Sequence, residues 1–219
     1  MRTRGVLTDR HIRKCHCKLL FTGDYLGENL NETVKLLANE SELAARAAGE
    51  AAAFAAIYDH YFPKVYNYVR YRVRELDTTD ELTSLIFERV LIRIGTFQPE
   101  KAPFGAWLFA IARHAVQDHF RSIKRRRWFS LDLFVEHPSP APPPEEVVAQ
   151  ADTIGQLLHA IHRLDERSQD IIALKFTSGL ENTEIARITG LSESNVGVIL
   201  YRALRQLRTY LNGKENSHD

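Results

Sequence analysis

Apolar residues recur every three to four positions through most of this chain, the period of a helix with one buried face. Over 51–74 that spacing places Phe54, Ile57, Tyr58, Tyr61 and Val65 on one side. Pro63 falls inside the run and predicts a bend or a restart there, because it removes a backbone donor. Thr78 followed by Glu81 reads as a capping box opening a second helix, whose apolar face is Leu82, Leu85, Ile86, Val90 and Ile94, with Arg89 among them. Pro103 suits the first turn of a third helix. From Phe104 onward, positions 104, 107, 108, 111, 112, 115, 116, 119, 120 and 123 form an unbroken stripe, with Arg113, Gln117, Arg121, Lys124 and Arg125 opposite. Four more helical stretches follow at 154–164, 168–176, 183–189 and 192–211. No alternating pattern of the kind a strand needs is found, so the expected fold is all-α.

The helices fall into two modules. Five of the eight prolines lie in His137–Glu145 (HPSPAPPPE), a composition that makes an extended connector and cannot pack a core. The expected organisation is an N-terminal extension at 1–41, a helical domain at 42–128, a linker at 129–152, a second helical domain at 153–211 and a tail at 212–219. Asn31–Leu37 has the spacing of a short helix, and nothing obliges the residues before it to be ordered.

With 219 residues, 44% hydrophobic and 26% charged, the chain has the composition of ordinary soluble globular proteins. No apolar run approaches the roughly 18 residues of a membrane span, and residues 1–18 lack the apolar core of a signal peptide. The expectation is a cytoplasmic protein with no membrane contact of its own. The net charge of +1 conceals an uneven distribution. Residues 113–127 carry six basic side chains (Arg113, Arg121, Lys124, Arg125, Arg126, Arg127) and one acid, Asp118, whereas 128–155 carry five acids and no Lys or Arg. The basic block is an electrostatic footprint for phosphate, and the hydrophobic stripe beneath it makes it one face of a helix. The adjacent acidic stretch is expected to lie over that face in the free protein.

Ala186, Gly190, Val196 and Ile199 stand where a helix-turn-helix needs a small residue at the crossing, a turn glycine and two anchors for the second helix, which Ser192 caps. That helix is expected to turn Ser194, Asn195, Gly197, Val198, Tyr201, Arg202 and Arg205 outward, and Val196, Leu200, Ala203, Leu204 and Leu207 inward. It has the form of a helix that enters a major groove.

Four segments together carry a resemblance: FAAIYDHYFPKVYNYVRYRV, DELTSLIFERVL, FGAWLFAIARHAVQDHFRSIKRR and, beyond the Pro-rich linker, LHAIHRLDERSQDIIALKFTSGLENTEIARITGLSESNVGVILYRALRQLR. Over positions 42–211 the chain resembles a bacterial sigma-70-type factor of the extracytoplasmic function (ECF) group. The resemblance implies a non-catalytic subunit that directs RNA polymerase core to promoters, the first module reading and melting the minus-10 element and the second reading the minus-35 element. Its implied partners are the beta-prime coiled coil and beta flap of the core enzyme, promoter DNA and an anti-sigma factor. On this resemblance Asp80, Glu81, Ser84 and Leu85 meet the core enzyme, though family members usually carry Gln and Glu where Ser84 and Leu85 stand. Minus-10 DNA falls to Phe104, Trp107, Arg113, His114, Arg121, Lys124, Arg125 and Arg126, with His114 in place of a common Asn. Both Leu85 and Trp107 also lie on apolar stripes, where core packing is the competing reading. Minus-35 DNA falls to Ser194, Asn195, Gly197, Val198, Tyr201, Arg202 and Arg205, with Gly197, Val198 and Ile199 replacing a frequent Lys-Ser-Arg run. The 24-residue linker can extend about 80 Å, enough for elements about 17 base pairs, or about 58 Å, apart.

Two other readings remain open at this point. A helix-turn-helix regulator acting without polymerase would share the second module. A metal or redox sensor would use His11, Cys15, His16 and Cys17, although their spacing lacks the usual two residues between zinc-binding cysteines. No phosphate loop, nucleophile elbow, HExxH or paired metal-binding carboxylates occurs, so no enzyme, metal or cofactor is expected.

Overall fold

A computed structural model describes residues 40–129 and 148–212. The helices in chain order are α1 (Glu40–Ala47), α2 (Ala51–Arg72), α3 (Leu76–Arg93), a 3₁₀ turn (Ile94–Thr96), α4 (Phe104–Phe129), α5 (Val148–Ile161), α6 (Glu166–Ser178), α7 (Asn182–Thr189) and α8 (Glu193–Asn212). No strand occurs among the described residues, as the helical period requires.

In the first module α2 packs on α3 and α4, and α3 on α4. Its core is built from the expected stripes: Phe54, Ile57, Tyr61 and Val65 of α2, Leu82, Ile86 and Val90 of α3, and Phe104, Leu108, Ala112 and Val116 of α4 are buried. Aromatic edges interlock, Tyr68 of α2 against Phe109 of α4 at 5.8 Å and 86°, and Phe97, just after the 3₁₀ turn, against Phe104 at 5.2 Å and 90°. Such edge-to-face pairs add to area burial by matching ring faces to ring edges.

Two local expectations are corrected. The helix through Pro63 does not restart, and α2 runs unbroken to Arg72. Pro63 lies on the exposed side of α2, and the opposite face holds the helix to the core. The capping box at Thr78 is absent: α3 starts at Leu76 with Glu75 as the flanking residue, which places Thr78 within the first turn. There its hydroxyl donates to Glu75 Oε2 at 2.9 Å, and Thr79 Oγ1 donates to the Glu75 carbonyl at 2.9 Å. Pro103 precedes α4 by one residue, and its carbonyl accepts the first helical bond, from Trp107 N at 3.1 Å.

In the second module α8 packs on α5, α6 and α7. The expected tethered modules are in direct contact, with α2 lying along α6 and α4 against α7, and the described residues from Ser41 onward form one compact unit. Residues 130–147, the greater part of the Pro-rich acidic stretch, lie outside the described residues, as do the His11, Cys15, His16 and Cys17 group and the 31–37 segment.

Candidate nucleic-acid interface

The turn between α7 and α8 has helix-turn-helix geometry for identifiable reasons. Gly190 adopts φ 73°, the left-handed conformation that costs a Cβ-bearing residue about 1–2 kcal/mol. That turn directs the backbone N–H groups of Gly190 and Leu191 to the Ala186 carbonyl, closing α7. Ser192 Oγ then accepts from Asn195 N at 3.2 Å and opens α8, as the sequence suggests.

Val196, Leu200, Ala203 and Leu207 anchor α8 in the core. Ser194, Asn195, Val198, Tyr201, Arg202 and Arg205 are exposed, Tyr201 at 69%, and Gly197 is half-buried. Leu204, expected to face inward, is 45% exposed. Its position lies about 70° around the helix from the centre of the anchored stripe at 100° per residue, which puts it on the flank.

The basic helix α4 divides its residues differently from expectation. His114, Arg121, Lys124, Arg125 and Arg126 are exposed. Asp118 takes ion pairs from Arg121 and Arg89, each at 3.3 Å, and Lys124 reaches Glu166 of α6 at 3.2 Å. Phe104 is completely buried, packed by Tyr61, Phe97 and Trp107, so it offers no face to a base. Trp107 is half-buried, its ring 5.5 Å from Phe97 and 5.4 Å from Phe104, which favours the core reading.

Arg113 is the largest departure. Its Nε donates to Asp170 Oδ2 at 2.7 Å and its Nη1 to the Ile188 carbonyl at 3.3 Å, so this candidate phosphate ligand is spent on the second module. The Ile188 carbonyl lies at the C-terminus of α7, where the helix dipole favours a cation. Asp170 also accepts from Tyr68 at 2.9 Å and pairs with Arg72 at 3.8 Å, the Arg72 and Asp170 side chains being only 2% and 9% exposed. Burial drives the Tyr68 hydroxyl well above its ordinary range, and the Asp170 charge beside it adds to the shift. Removing one partner of such a buried pair typically costs about 3–5 kcal/mol, since the other charge is stranded. Asp170, Tyr68 and Arg72 are absent from the sequence expectations. The available signal was faint: a Tyr and an Arg one turn apart at the polar end of an apolar stripe, and a carboxylate next to a run of core residues.

On α3, Glu81 and Ser84 are exposed, whereas Leu85 is half-buried and packs against the core. Asp80 is half-buried and faces Tyr66 of α2, whose hydroxyl is raised first by burial and then by the Asp80 charge, with Arg70 acting the other way. Glu81 is therefore the acid that α3 presents most openly of the pair. Among the described residues no group of three or more His, Cys, Asp and Glu is placed to hold a metal ion, and no helix is long and apolar enough to cross a membrane.

Two helical modules, one ending in a basic helix and the other carrying a helix-turn-helix, define a class of DNA-binding protein. Residues 57–127 match sigma-70 region 2 and residues 154–207 match sigma-70 region 4, together more than half of the chain. The chain is 40% identical over 171 residues to the ECF RNA polymerase sigma factor BldN of Streptomyces coelicolor, a match covering 78% of this chain and 65% of that protein. It thus spans slightly under two-thirds of that relative. It is 27% identical over 166 residues to the ECF RNA polymerase sigma factor SigX of Bacillus subtilis, covering 72% of this chain and 83% of SigX. Two solved structures share the fold. CnrH in complex with the cytosolic domain of CnrY aligns with a TM-score of 0.57 and 24% identity, covering 78% of this chain and 96% of that one. The sigma factor RpoE in complex with the anti-sigma factor NepR from Bartonella quintana aligns at 0.60 and 19%, covering 73% and 96%. The chain belongs to the sigma-70 family, and the relatives it is similar to are ECF RNA polymerase sigma factors.

Proposed function

We propose that this chain is a promoter-directing subunit of RNA polymerase, acting in the cytoplasm without catalysis or a cofactor of its own. The observation that carries the reading is the presence of both sigma-70 regions, in order, on one chain. A helix-turn-helix regulator acting alone would need the second region and leave the first unaccounted for. In this reading α3 docks on the beta-prime coiled coil through Glu81, Asp80 and Ser84, with Leu85 shaping the helix beneath them. The beta flap engages the second module. Exposed Arg121, Lys124, Arg125 and Arg126 of α4 grip phosphates beside the minus-10 element, and His114 takes part in base reading there. On α8, Ser194, Asn195, Arg202 and Arg205 make polar contacts with the minus-35 element, while Val198 and Tyr201 supply apolar contact of the kind that recognises thymine methyls. An anti-sigma factor is the expected regulator, as the complex of RpoE with the anti-sigma factor NepR suggests by likeness.

Run-off transcription with purified core polymerase tests the reading. Transcripts that start at discrete promoters only when this chain is added are the expected result. Sequence-specific duplex binding by the chain alone, with no transcription in the presence of core, would favour the independent regulator.

A further inference from the structure

We infer that Asp170 is the anion of an intramolecular latch that holds the helix-turn-helix module closed on the first module and withdraws Arg113 from DNA. The latch is read from geometry, and only the consequence of opening it rests on the function proposed above. Asp170 belongs to α6, yet its partners come from the other module: Tyr68 Oη donates to Oδ1 at 2.9 Å, Arg113 Nε donates to Oδ2 at 2.7 Å, and Arg72 Nε lies 3.8 Å from Oδ1. The two arginines then reach past Asp170 to backbone carbonyls at the ends of second-module helices. Arg72 Nη1 donates to Glu166 O at 2.7 Å in the first turn of α6, and Arg113 Nη1 donates to Ile188 O at 3.3 Å in the last turn of α7. At the rim, Lys124 pairs with Glu166 at 3.2 Å, and Arg74 Nη2 donates to His162 O at 3.4 Å.

Two features make this a device rather than ordinary core packing. The groups at its centre are polar and charged, so water can take over their hydrogen bonds and ion pairs when the modules part, while the apolar core that runs on through both modules supplies the rest of the contact. A buried carboxylate with two guanidiniums and a hydroxyl also fixes one register, which is the best-attested use of a buried ionic cluster. The closed arrangement is incompatible with holding both promoter elements. Modules in direct contact cannot span sites about 58 Å apart, and Arg113 cannot grip phosphate while it holds Asp170. The outer face of α8 stays exposed throughout, so closure acts on the α4 side.

Pulsed spin-label distances in the full chain test this, with Cys15 and Cys17 changed to Ser and labels at Ala52→Cys and Gln206→Cys, both exposed sites. The unsubstituted latch should give one short, narrow distance population. Asp170→Asn should move most molecules to a longer, broader one at unchanged helicity by circular dichroism. Tyr68→Phe, which removes a single hydrogen bond, should move a smaller fraction. If Asp170→Asn loses helicity, Arg113→Gln gives the same readout from the other side of the pair. A short distance retained in the folded Asp170→Asn and Arg113→Gln chains overturns the latch, and a long distance in the unsubstituted chain overturns closure itself. In run-off transcription, Asp170→Asn should reach half-maximal output at a several-fold lower concentration. Opening without that gain would overturn its regulatory consequence. Opening with no transcript from either chain would leave the latch standing and remove the sigma reading.

Discussion

Asp165 closes the turn into α6 by folding its carboxylate over the helix start: Oδ1 accepts from the backbone N–H groups of Arg167 and Ser168 at 3.0 Å each, and Oδ2 accepts from Ser168 Oγ at 2.6 Å. Partial burial acts to raise its pKa, but the hydrogen bonds from Ser168 and Arg167 outweigh it, and the value falls below the ordinary 3.8. Asp165→Ala should therefore cost about 1 kcal/mol, visible as a lower Tm. Because the folded pKa is depressed, the contribution of the cap is complete above pH 3.8 and is lost as pH falls through the lower folded value. The difference in stability between the two proteins should shrink in acid, and a constant difference would show that the carboxylate charge is not what caps α6. His114 poses a specificity question at the same scale. It is exposed on α4, and a neutral imidazole both donates and accepts, as the Asn common at that position does, but with a different shape. His114→Asn should change the set of promoters used in run-off sequencing while leaving thermal stability unchanged. An identical promoter set would remove His114 from base reading.

At the level of whole elements, α2 and α8 show what an apolar period conveys and what it omits. Both stripes were legible because burial follows 3.6-residue spacing regardless of what covers the other face. Of the bend or restart expected at Pro63 the restart was not found, since the opposite face of α2 is held by the core, and a proline's position in the period does not report how firmly its helix is held. Pro63→Ala should restore a backbone bond on an exposed surface and stabilise the chain by about 1–3 kcal/mol, measured by denaturant unfolding. A destabilised variant would mean that the proline sets a bend the core requires. On α8 the exposed Arg202 and Arg205 lie beyond the anchored stripe, where the proposed reading has them meet phosphate or base. If each meets phosphate, Arg202→Ala and Arg205→Ala will weaken promoter binding by the holoenzyme across sequences alike and lower the salt slope by about one unit apiece. A loss confined to one base pair of the minus-35 element would reassign that arginine to base reading.

Across the molecule, the all-helical architecture and the helix-turn-helix were readable from the chain, whereas the contact between modules was not. Interfaces made of Tyr68, Arg72, Arg113 and Asp170 carry no apolar period, and each of these residues reads as solvent-facing until its partner is known. Arg113 shows the consequence: a positive charge on a basic helix points to DNA by pattern, yet in the closed chain it is neutralised by a carboxylate 57 positions away. The same interface has a second titratable component in His162, between α5 and α6. Burial pushes the His162 imidazole below its ordinary 6.5, and the Arg74 charge from α2 pushes it further, with His159 and Arg70 contributing charge in the same sense and a hydrogen bond to the Arg70 backbone opposing them. Among the described residues its Nε2 is buried without a hydrogen-bond partner. Closure thus holds His162 neutral, while opening exposes it to water and returns it toward its ordinary pKa. The open form binds more protons, so closure is favoured above pH 6.5 and weakens as pH falls through that value toward the lower closed-state pKa. In the spin-labelled chain, moving from about pH 8 to about pH 5.5 should raise the long-distance population, and His162→Gln should flatten that response. An undiminished response in His162→Gln would place the proton elsewhere in the interface and leave His162 a spectator.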